Sequence, residues 1–395
     1  MNRPAPFNPA LSHALASPVM TAQSWLRGKV FPPERPLLNL SQAAPVGPPP
    51  LSLRRAMAEA AMSEGDAHLY GPVPGDGALR AEIAARWSAL YGAGIAPEEV
   101  AVTSGCNEAF AAAMLSLAGA GDEVILPTPW YFNHKMWLDM IGVRAVPLPV
   151  GEDGLPEPEA AAALIGPRTR ALVLVTPNNP TGAECPAGRM EALFDLCAAA
   201  GIAFVVDETY RDYLSHEGAP HGLFRRPAWG ETLIHLYSFS KAYRLTGHRV
   251  GALLSSARRV AEVEKFLDTV TICPSRIGQI GALEGLRREG AFVAGERAEF
   301  ARRRAALAAA FAEGVGGWRL LGAGAYFAWV AHPFDAPSEA VSRRLVEDQS
   351  VLALPGGFFT PEGDDAGRGA LRLAFANVDE AGIAETARRL RAFSF

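Results

Sequence analysis

Short apolar runs alternate with helical segments along most of the chain. Continuous apolar runs are typical of strands that are buried on both faces of a parallel sheet. Such runs predict strands over 100–103, 123–127, 171–175, 202–206, 233–237 and 250–254. Helices are predicted over 51–63, 77–91 and 108–117. This alternation predicts an α/β fold with a mostly parallel, seven-stranded-type sheet covered by helices.

The pattern changes near residue 288, where strand–helix alternation gives way to one long helix and a few short strands. The predicted elements are a helix over 290–313, strands over 325–330 and 371–375, and a helix over 379–393. We therefore expect a large domain over 51–287 and a smaller α+β domain over 288–395. Residues 1–50 are rich in proline and predict an N-terminal arm that joins the small domain.

Composition narrows the possible classes of function. Apolar residues make up 49% of the 395 positions, which is enough for a sizeable core and excludes wholesale disorder. The chain has 37 basic and 42 acidic residues, without the basic excess that is typical of nucleic-acid binders. No apolar run reaches the roughly 18 residues of a membrane span. We expect a cytoplasmic protein that binds neither nucleic acid nor membrane.

The cysteines and lysines are both sparse. Four scattered cysteines have no C-x-x-C spacing and no His in a zinc pattern, so we expect a reducing compartment and no metal. Lysine accounts for only four of the 37 basic residues, at Lys29, Lys135, Lys241 and Lys265. Coding bias would explain this scarcity. A lysine in a motif is still informative, because Arg cannot form an imine.

Polar residues follow four of the predicted strands, where ligands bind in doubly wound sheets. Strand 100–103 is followed by Ser104, Gly105, Cys106 and Asn107, a turn that leads into a helix. Free N–H groups at such a turn suit a phosphate. An ordinary strand–helix turn has the same pattern.

The next two strand ends carry an amide and a carboxylate. Strand 171–175 is followed by the turn 176–182, in which prolines and a glycine fix the backbone and leave Asn179 to face inward. Strand 202–206 is followed by Asp207 and, three residues later, Tyr210. A carboxylate at a buried strand end needs a partner such as a cationic ring nitrogen. A capping Asp is the alternative.

The fourth strand end carries groups for a phosphate and for an imine. Strand 233–237 is followed by Ser238, Ser240 and Lys241, and Arg249 comes eight residues later. Hydroxyls and a guanidinium suit a phosphate, and a lysine amine can form an imine. Together the four ends supply what pyridoxal phosphate requires.

These motifs stand in the order and spacing of a known family. The run 177–182, the pair Asp207 and Tyr210, and the stretch from Ser238 to Arg249 resemble the class I/II aminotransferases of fold type I, which are related to aspartate and aromatic aminotransferases. The resemblance covers about residues 38 to 395. It implies pyridoxal 5'-phosphate as cofactor and amino acid and 2-oxo acid substrates. It also implies a ping-pong transfer of the amino group.

The resemblance assigns roles to residues around the cofactor ring. Lys241 would hold the cofactor as an internal aldimine and later move a proton between Cα and C4′. Asp207 would keep the pyridine nitrogen protonated, while Tyr210 and Asn179 would hydrogen-bond the phenolate oxygen. Tyr131 would stack on the ring face. His134 matches a position where some members carry a His behind the Asp.

Further residues are implied for the phosphate, the substrate and the partner subunit. The implied phosphate site is formed by Ser104, Gly105, Cys106, Asn107, Ser238, Ser240 and Arg249. Tyr70 matches a tyrosine that reaches the phosphate of the neighbouring subunit, which implies a homodimer with shared active sites. Arg372 matches the Arg that binds the substrate α-carboxylate in a bidentate pair, with Asn179 beside it.

Two departures from the family, and one further residue, bear on the substrate. Ala43 and Ala44 stand in a segment where members often carry Gly, whose backbone approaches the substrate carboxylate. Asn107 stands where some bacterial aspartate aminotransferases have a Lys for the distal carboxylate. A neutral, aromatic or broad range of substrates is therefore expected. Arg276 lies in a segment that borders the site in relatives, and it is either a binder of a side-chain carboxylate or a surface residue.

Three other functions remain open on the sequence alone. A C–S β-lyase or an oxidase would share the cofactor residues, because the substrate supplies the leaving group. A cofactor-sensing regulator would carry a DNA-binding domain before the matched region, and we expect none here. An unrelated phosphate-binding α/β enzyme would leave Asp207, Tyr210 and Lys241 unexplained.

Overall fold

The computed structural model describes residues 5–395. Its strands are β1 (Leu38–Asn39), β2 (Val100–Thr103), β3 (Glu123–Thr128), β4 (Arg144–Pro149), β5 (Thr169–Val175), β6 (Ala203–Asp207), β7 (Leu233–Ser238), β8 (Gly251–Leu254), β9 (Arg319–Gly324), β10 (Phe327–Ala331), β11 (Val351–Leu352), β12 (Leu354–Pro355) and β13 (Ala370–Ala374). Its helices are α1 (Pro9–His13), α2 (Pro18–Ser24), α3 (Leu51–Ser63), α4 (Gly77–Tyr91), α5 (Cys106–Leu115), α6 (Phe132–Met140), α7 (Pro158–Ala162), α8 (Ala187–Ala200), α9 (Trp229–Thr232), α10 (Phe239–Ala242), α11 (Ala257–Val270), α12 (Arg276–Arg288), α13 (Gly290–Ala312), α14 (Ser338–Gln349), α15 (Asp365–Arg368) and α16 (Glu380–Ala392).

A seven-stranded sheet in the order β2-β8-β7-β6-β5-β3-β4 forms the centre of the fold. Strand β8 runs antiparallel to both of its neighbours, and the remaining pairs are parallel. The predicted mostly parallel α/β fold is confirmed. The expectation that β8 belongs to the same parallel type is wrong. The short connection 239–250 holds one turn of α-helix, too little for the crossover that a parallel neighbour requires.

Apolar clusters cover both faces of this sheet, as its continuous apolar strands require. On one face the strands pack against α3, α4, α8 and α12. On the other face they pack against α5, α6 and α11. Only the strand ends are therefore free to place polar side chains in a cavity.

A second, antiparallel sheet has the order β12-β13-β10-β9 and carries Arg372 on β13. Its core includes residues of α13, α14 and α16. The N-terminal arm joins this part of the molecule, because β1 pairs with β11 and the Ala374 N–H donates to the Leu40 carbonyl at 2.8 Å. The exact domain limits at 50/51 and 287/288 stay a prediction.

Two features of the described residues bear on membrane and metal binding. Between residues 5 and 395, no helix combines the length and apolar character that crossing a bilayer would take. The same stretch holds no group of three or more His, Cys, Asp or Glu side chains placed to bind a metal ion.

Candidate active site

A cavity of about 150 Å³ lies at the carboxyl ends of β5, β6 and β7. Its walls are formed by Cys106, Asn107, Tyr131, Val175, Asn179, Asp207, Thr209, Tyr210, Ser238, Ser240, Lys241 and Arg249. Most of the residues predicted for the cofactor are thus brought together around one cavity. Parallel strands place their carboxyl ends at the same edge, which is why residues so far apart in sequence meet here.

Lys241 lies in the one-turn helix α10 directly after β7. Its Nζ donates a hydrogen bond of 2.7 Å to the Ala43 carbonyl and lies 5.7 Å from the centre of the Tyr210 ring. Burial, together with the charges of Arg372 and Arg249, lowers the pKa of Lys241 to about 8. An amine with this pKa is partly neutral near physiological pH, so it can act as a nucleophile and as a base.

Asp207 ends β6 and is buried. Its Oδ1 accepts a hydrogen bond of 3.0 Å from the Thr209 N–H, and its Oδ2 lies 3.3 Å from His134 Nε2. Burial alone would raise the pKa of Asp207, but His134 and Thr209 outweigh it and the pKa is lowered. His134 is itself fixed by stacking on Phe110, with ring centres 3.8 Å apart. The carboxylate stays ionised and can hold a proton on a ring nitrogen.

Gly105 and Arg249 form an anion-binding corner of the cavity. Gly105 precedes α5 with φ +89°, a backbone conformation that favours glycine, and the Arg249 guanidinium lies directly against the position where a Cβ would be. Arg249 Nη2 is 3.4 Å from the Ser104 carbonyl. Ser238 and Ser240 line the same cavity. A helix N-terminus with a guanidinium and two hydroxyls suits a phosphate.

Tyr131 forms a flat aromatic wall of the cavity. Its hydroxyl accepts a hydrogen bond of 2.8 Å from Asn133 and makes a long contact of 3.5 Å with Asn107 Oδ1. Burial, and next the charge of Asp207, raise the pKa of Tyr131 to about 12. The phenol therefore stays neutral, and the ring can stack on an aromatic ligand.

Arg372 reaches the same region from the second sheet and is only 2% exposed. Its Nη1 donates to Asn179 Oδ1 at 2.8 Å, and its Nη2 donates to the Ser41 carbonyl. Its Nε has no hydrogen-bond partner, and no Asp or Glu among residues 5–395 forms an ion pair with it. Burial lowers its pKa to about 10, although the neighbouring Tyr210 and Tyr131 act in the opposite direction. A buried cation without a counter-ion is costly, which indicates an anionic ligand.

Two predicted residues lie away from this cavity. Tyr70 is 78% exposed, and its predicted contact is with a neighbouring subunit. Arg276 is half-buried beside Gly71 and does not line the cavity. Both residues keep their roles as expectations.

Sequence reasoning missed Thr209 and Ser41. Thr209 lines the cavity and donates its N–H to Asp207, and its place between Asp207 and Tyr210 was a usable signal. Ser41 contributes only a carbonyl to Arg372, and no sequence motif reports such a contact.

The charges of the site fit pyridoxal phosphate. Three cations, Lys241, Arg249 and Arg372, surround one carboxylate, Asp207, which is paired with His134. A phosphate and a substrate carboxylate would balance this excess. Asp207 would meet the pyridine nitrogen, and the Lys241 amine, which donates to the Ala43 carbonyl, would bond the cofactor carbonyl instead.

The family model "Aminotransferase class I and II" matches residues 35–390. The arginine–pyruvate transaminase AruH of Pseudomonas aeruginosa is 32% identical over 80% of this chain and 81% of its own. The valine–pyruvate aminotransferase of Mycobacterium tuberculosis is 31% identical over 90% of each chain.

Solved structures agree with the family match. The aspartate aminotransferase from Thermus thermophilus with maleate superposes with a TM-score of 0.87 at 25% identity, covering 98% of this chain and 99% of that one. The N-succinyldiaminopimelate aminotransferase from M. tuberculosis gives 0.88 at 27% identity, covering 98% and 100%. With the family model spanning nearly the whole chain and the cavity fitting the cofactor, the protein belongs to the class I and II aminotransferases, the pyridoxal-phosphate-dependent transaminases of fold type I.

Proposed function

We propose that this transaminase moves the amino group of a monocarboxylic L-amino acid to a 2-oxo acid, with Lys241 as its catalytic base. The observation that carries the proposal is Arg372, a buried guanidinium without an acidic partner beside Lys241 and Asn179. One carboxylate would satisfy it.

The contacts of the site residues and the family to which the chain belongs support a role for each residue towards the cofactor. When bound, pyridoxal phosphate supplies a carbonyl that bonds amines and a ring that accepts electrons. Lys241 would bond that carbonyl and, when released, move the proton at the substrate Cα. Asp207 would hold a proton on the ring nitrogen, and Tyr210 and Asn179 would orient the ring oxygen. Tyr131 would cover the ring face.

Arg372 and its surroundings support binding of the α-carboxylate. The guanidinium carbon lies 5.1 Å from the centre of the Phe327 ring and 5.0 Å from that of Phe359. These rings exclude water on two sides, which strengthens a charge-assisted pair. Ala43 lies beside Lys241 through its carbonyl and would limit the space for the substrate backbone.

The charges around the cavity favour a substrate with a single carboxylate. Arg249 belongs to the phosphate corner and Arg372 to the α-carboxylate, and the described chain places no further Lys or Arg on the cavity wall besides Lys241. Asn107 is neutral. A side-chain carboxylate would therefore lack a cationic partner within this chain.

We also propose a cytoplasmic homodimer that works in amino acid metabolism. Tyr70 is exposed, and so are four large apolar side chains: Met62, Leu69, Val270 and Ile272. Exposed apolar side chains that form one contiguous patch are typical of protein interfaces. The four cysteines are free thiols, as expected in a reducing compartment.

A half-reaction screen tests the substrate class. The holoenzyme is mixed with single amino acids, and conversion of the cofactor to pyridoxamine phosphate is followed by its absorption. Neutral and aromatic amino acids should react faster than aspartate and glutamate. Reaction with aspartate and glutamate alone would contradict the proposal. Pyruvate and ammonia released from a cysteine conjugate, without amino transfer, would instead favour the C–S lyase alternative.

A further inference from the structure

A buried polar cluster lies directly behind the cavity, on the other side of the segment that carries Asp207 and Tyr210. Its members come from α4, from the end of β6, from the loop 214–222 and from β7. We call it the Glu208 cluster, and it consists of Trp87, Tyr91, Glu208, Arg211, Asp212, His221, His235 and Tyr237.

Glu208 is the centre of this cluster and is only 1% exposed. Its Oε2 accepts hydrogen bonds from the Tyr91 hydroxyl and, at 2.8 Å, from His235 Nε2. Its Oε1 lies 3.5 Å from His221 Nε2. The Leu223 N–H donates to Nδ1 of His221, so a neutral His221 carries its proton on Nε2, towards Glu208. Two hydrogen bonds therefore hold the carboxylate, and the His221 imidazole lies close to it on a third side.

Arg211 extends the cluster along the same segment. Its guanidinium carbon lies 3.6 Å from the centre of the Trp87 ring and 4.5 Å from that of Tyr237. Its Nη1 lies 3.2 Å from the Tyr91 hydroxyl. The Tyr237 hydroxyl donates to Asp212 Oδ2 at 2.7 Å. The contacts of Glu208 and Arg211 therefore fix the chain before and after Tyr210.

The cluster also connects to the strand that carries the lysine. His235 and Tyr237 of β7 point into the cluster, whereas Ser238 and Lys241, a few residues further on, line the cavity. The Glu208 N–H donates to the Leu236 carbonyl at 2.9 Å, so the two segments are also joined through the backbone. Buried charges of this kind often contribute little to stability compared with apolar residues, and fixing one geometry is their best-attested use.

We infer that Glu208 is a positioning residue. Its hydrogen bond with His235 of β7, supported by Tyr91 and the nearby His221, sets the spacing between the segment that carries Asp207 and Tyr210 and the segment that carries Ser238 and Lys241. The inference rests on the proposed roles of these four residues towards the cofactor. Glu208 itself touches neither cofactor nor substrate. Its effect passes through the two strand ends.

The ionisation of Glu208 agrees with this role. Burial alone would raise the pKa of Glu208, but His221 and His235 hold it well below the usual value. Burial also lowers the pKa of His235, so this imidazole acts as a neutral donor. An amide in place of the carboxylate would replace one acceptor oxygen with an N–H₂ donor, which cannot accept the hydrogen bonds that Glu208 receives.

The experiment compares holoenzymes carrying Glu208→Gln and Tyr91→Phe with the wild type. The measurements are the pH midpoint of the change in the cofactor's visible absorption, the cofactor dissociation constant, kcat, KM and the melting temperature. In Glu208→Gln the midpoint should shift by more than about half a pH unit, because the groups around the cofactor are displaced. Its kcat should fall about tenfold to hundredfold with little change in KM. Tyr91→Phe should shift the midpoint in the same direction as Glu208→Gln and should also lower kcat.

Phe224→Leu is the matched control, since its ring packs on Tyr91 and His221 without a hydrogen bond to Glu208. It should lower the melting temperature while keeping the midpoint and kcat. The inference is overturned if Glu208→Gln loses thermal stability but keeps the wild-type midpoint and kcat. If that variant does not fold, the same two readouts in Tyr91→Phe decide. A wild type that bound no cofactor at Lys241 would overturn the proposed function instead.

Discussion

The guanidinium of Arg372 donates a 2.8 Å hydrogen bond to Asn179, and this contact joins the two sheets at the cavity. Asn179 follows β5 of the central sheet, and Arg372 lies on β13, opposite Trp329 of β10. A carboxylate bound by Arg372 would therefore be held at a defined distance from the cofactor residues. The guanidinium in turn holds the Asn179 side chain in place at the cavity wall.

Arg372→Lys should weaken substrate use without removing the cofactor. A lysine keeps the charge but loses the planar fork that binds a carboxylate through two hydrogen bonds. We expect kcat/KM for amino acids to fall about 10- to 100-fold, the cost of a lost charge-assisted hydrogen bond. Arg368→Lys, at an exposed ion pair with Asp335, is the control and should behave as wild type. Unchanged kcat/KM in Arg372→Lys would contradict the assignment.

Gly182→Ala should push the two sheets apart where Gly182 lies against the backbone of Gly324. A Cβ on Gly182 would lie 2.1 Å from the Gly324 nitrogen, and Gly182 has φ +77°. Gly201 has φ +66° with nothing within 4 Å of its Cβ position, so Gly201→Ala measures the backbone cost alone. We expect Gly182→Ala to lower the free energy of unfolding by about 1–3 kcal/mol more than Gly201→Ala. If denaturant titrations gave the same loss of unfolding free energy for both variants, the backbone at the Gly182–Gly324 contact would be able to shift without cost.

The sheet and most of the cavity could be predicted because apolar runs and chemistry coincide in the sequence. Strands β5, β6 and β7 are continuous apolar runs, and each is followed by polar or charged residues that a ligand-binding site would explain. The predicted bounds of α3 and α4 agree with the structure.

Other elements gave no such signal. Strand β4 is an edge strand whose residues alternate between buried and exposed and include two prolines, so no apolar run marks it. The direction of β8 depended on its connection rather than on its composition. The Glu208 cluster could not be predicted from the sequence for a similar reason. His221 and His235 meet Glu208 through the packing of a loop and a strand, without a motif spacing.

Reduction of the holoenzyme with borohydride should fix the cofactor on Lys241. The other three lysines form surface ion pairs: Lys29 with Glu347 at 3.0 Å, Lys135 with Asp139 at 2.6 Å, and Lys265 with Glu262 at 2.7 Å. An ammonium held by a carboxylate is a poor nucleophile. Peptide mass spectrometry after digestion checks the site, and label on any other lysine would refute the role of Lys241. Lys241→Ala should take no label and lose at least about 10²-fold in transamination.

The lowered pKa of Lys241 also predicts how the stability of the cofactor-free protein depends on pH. The pKa falls from 10.5 to about 8 on folding, because burial and the charges of Arg372 and Arg249 disfavour the ammonium. Below pH 8 both the folded and the unfolded state carry the proton, so the full penalty of the buried charge is present. Between about pH 8 and 10.5 the unfolded state binds more protons, and the stability contributed by this group rises with pH.

Lys241→Met removes this penalty while filling a similar volume. At pH 7 the cofactor-free variant should therefore be more stable than the cofactor-free wild type by on the order of 2 kcal/mol, allowing for solvent contact at the cavity. The difference should shrink as the pH rises through 8 and become small near 10.5, where the wild-type amine is neutral in the folded state and half neutral in the unfolded state. Lys265→Met, at a side chain that is 72% exposed, is the control and should show no such pH-dependent difference. Melting curves from pH 7 to 10.5 measure this, and a constant gap between Lys241→Met and wild type would show that burial of the ammonium costs nothing at this site.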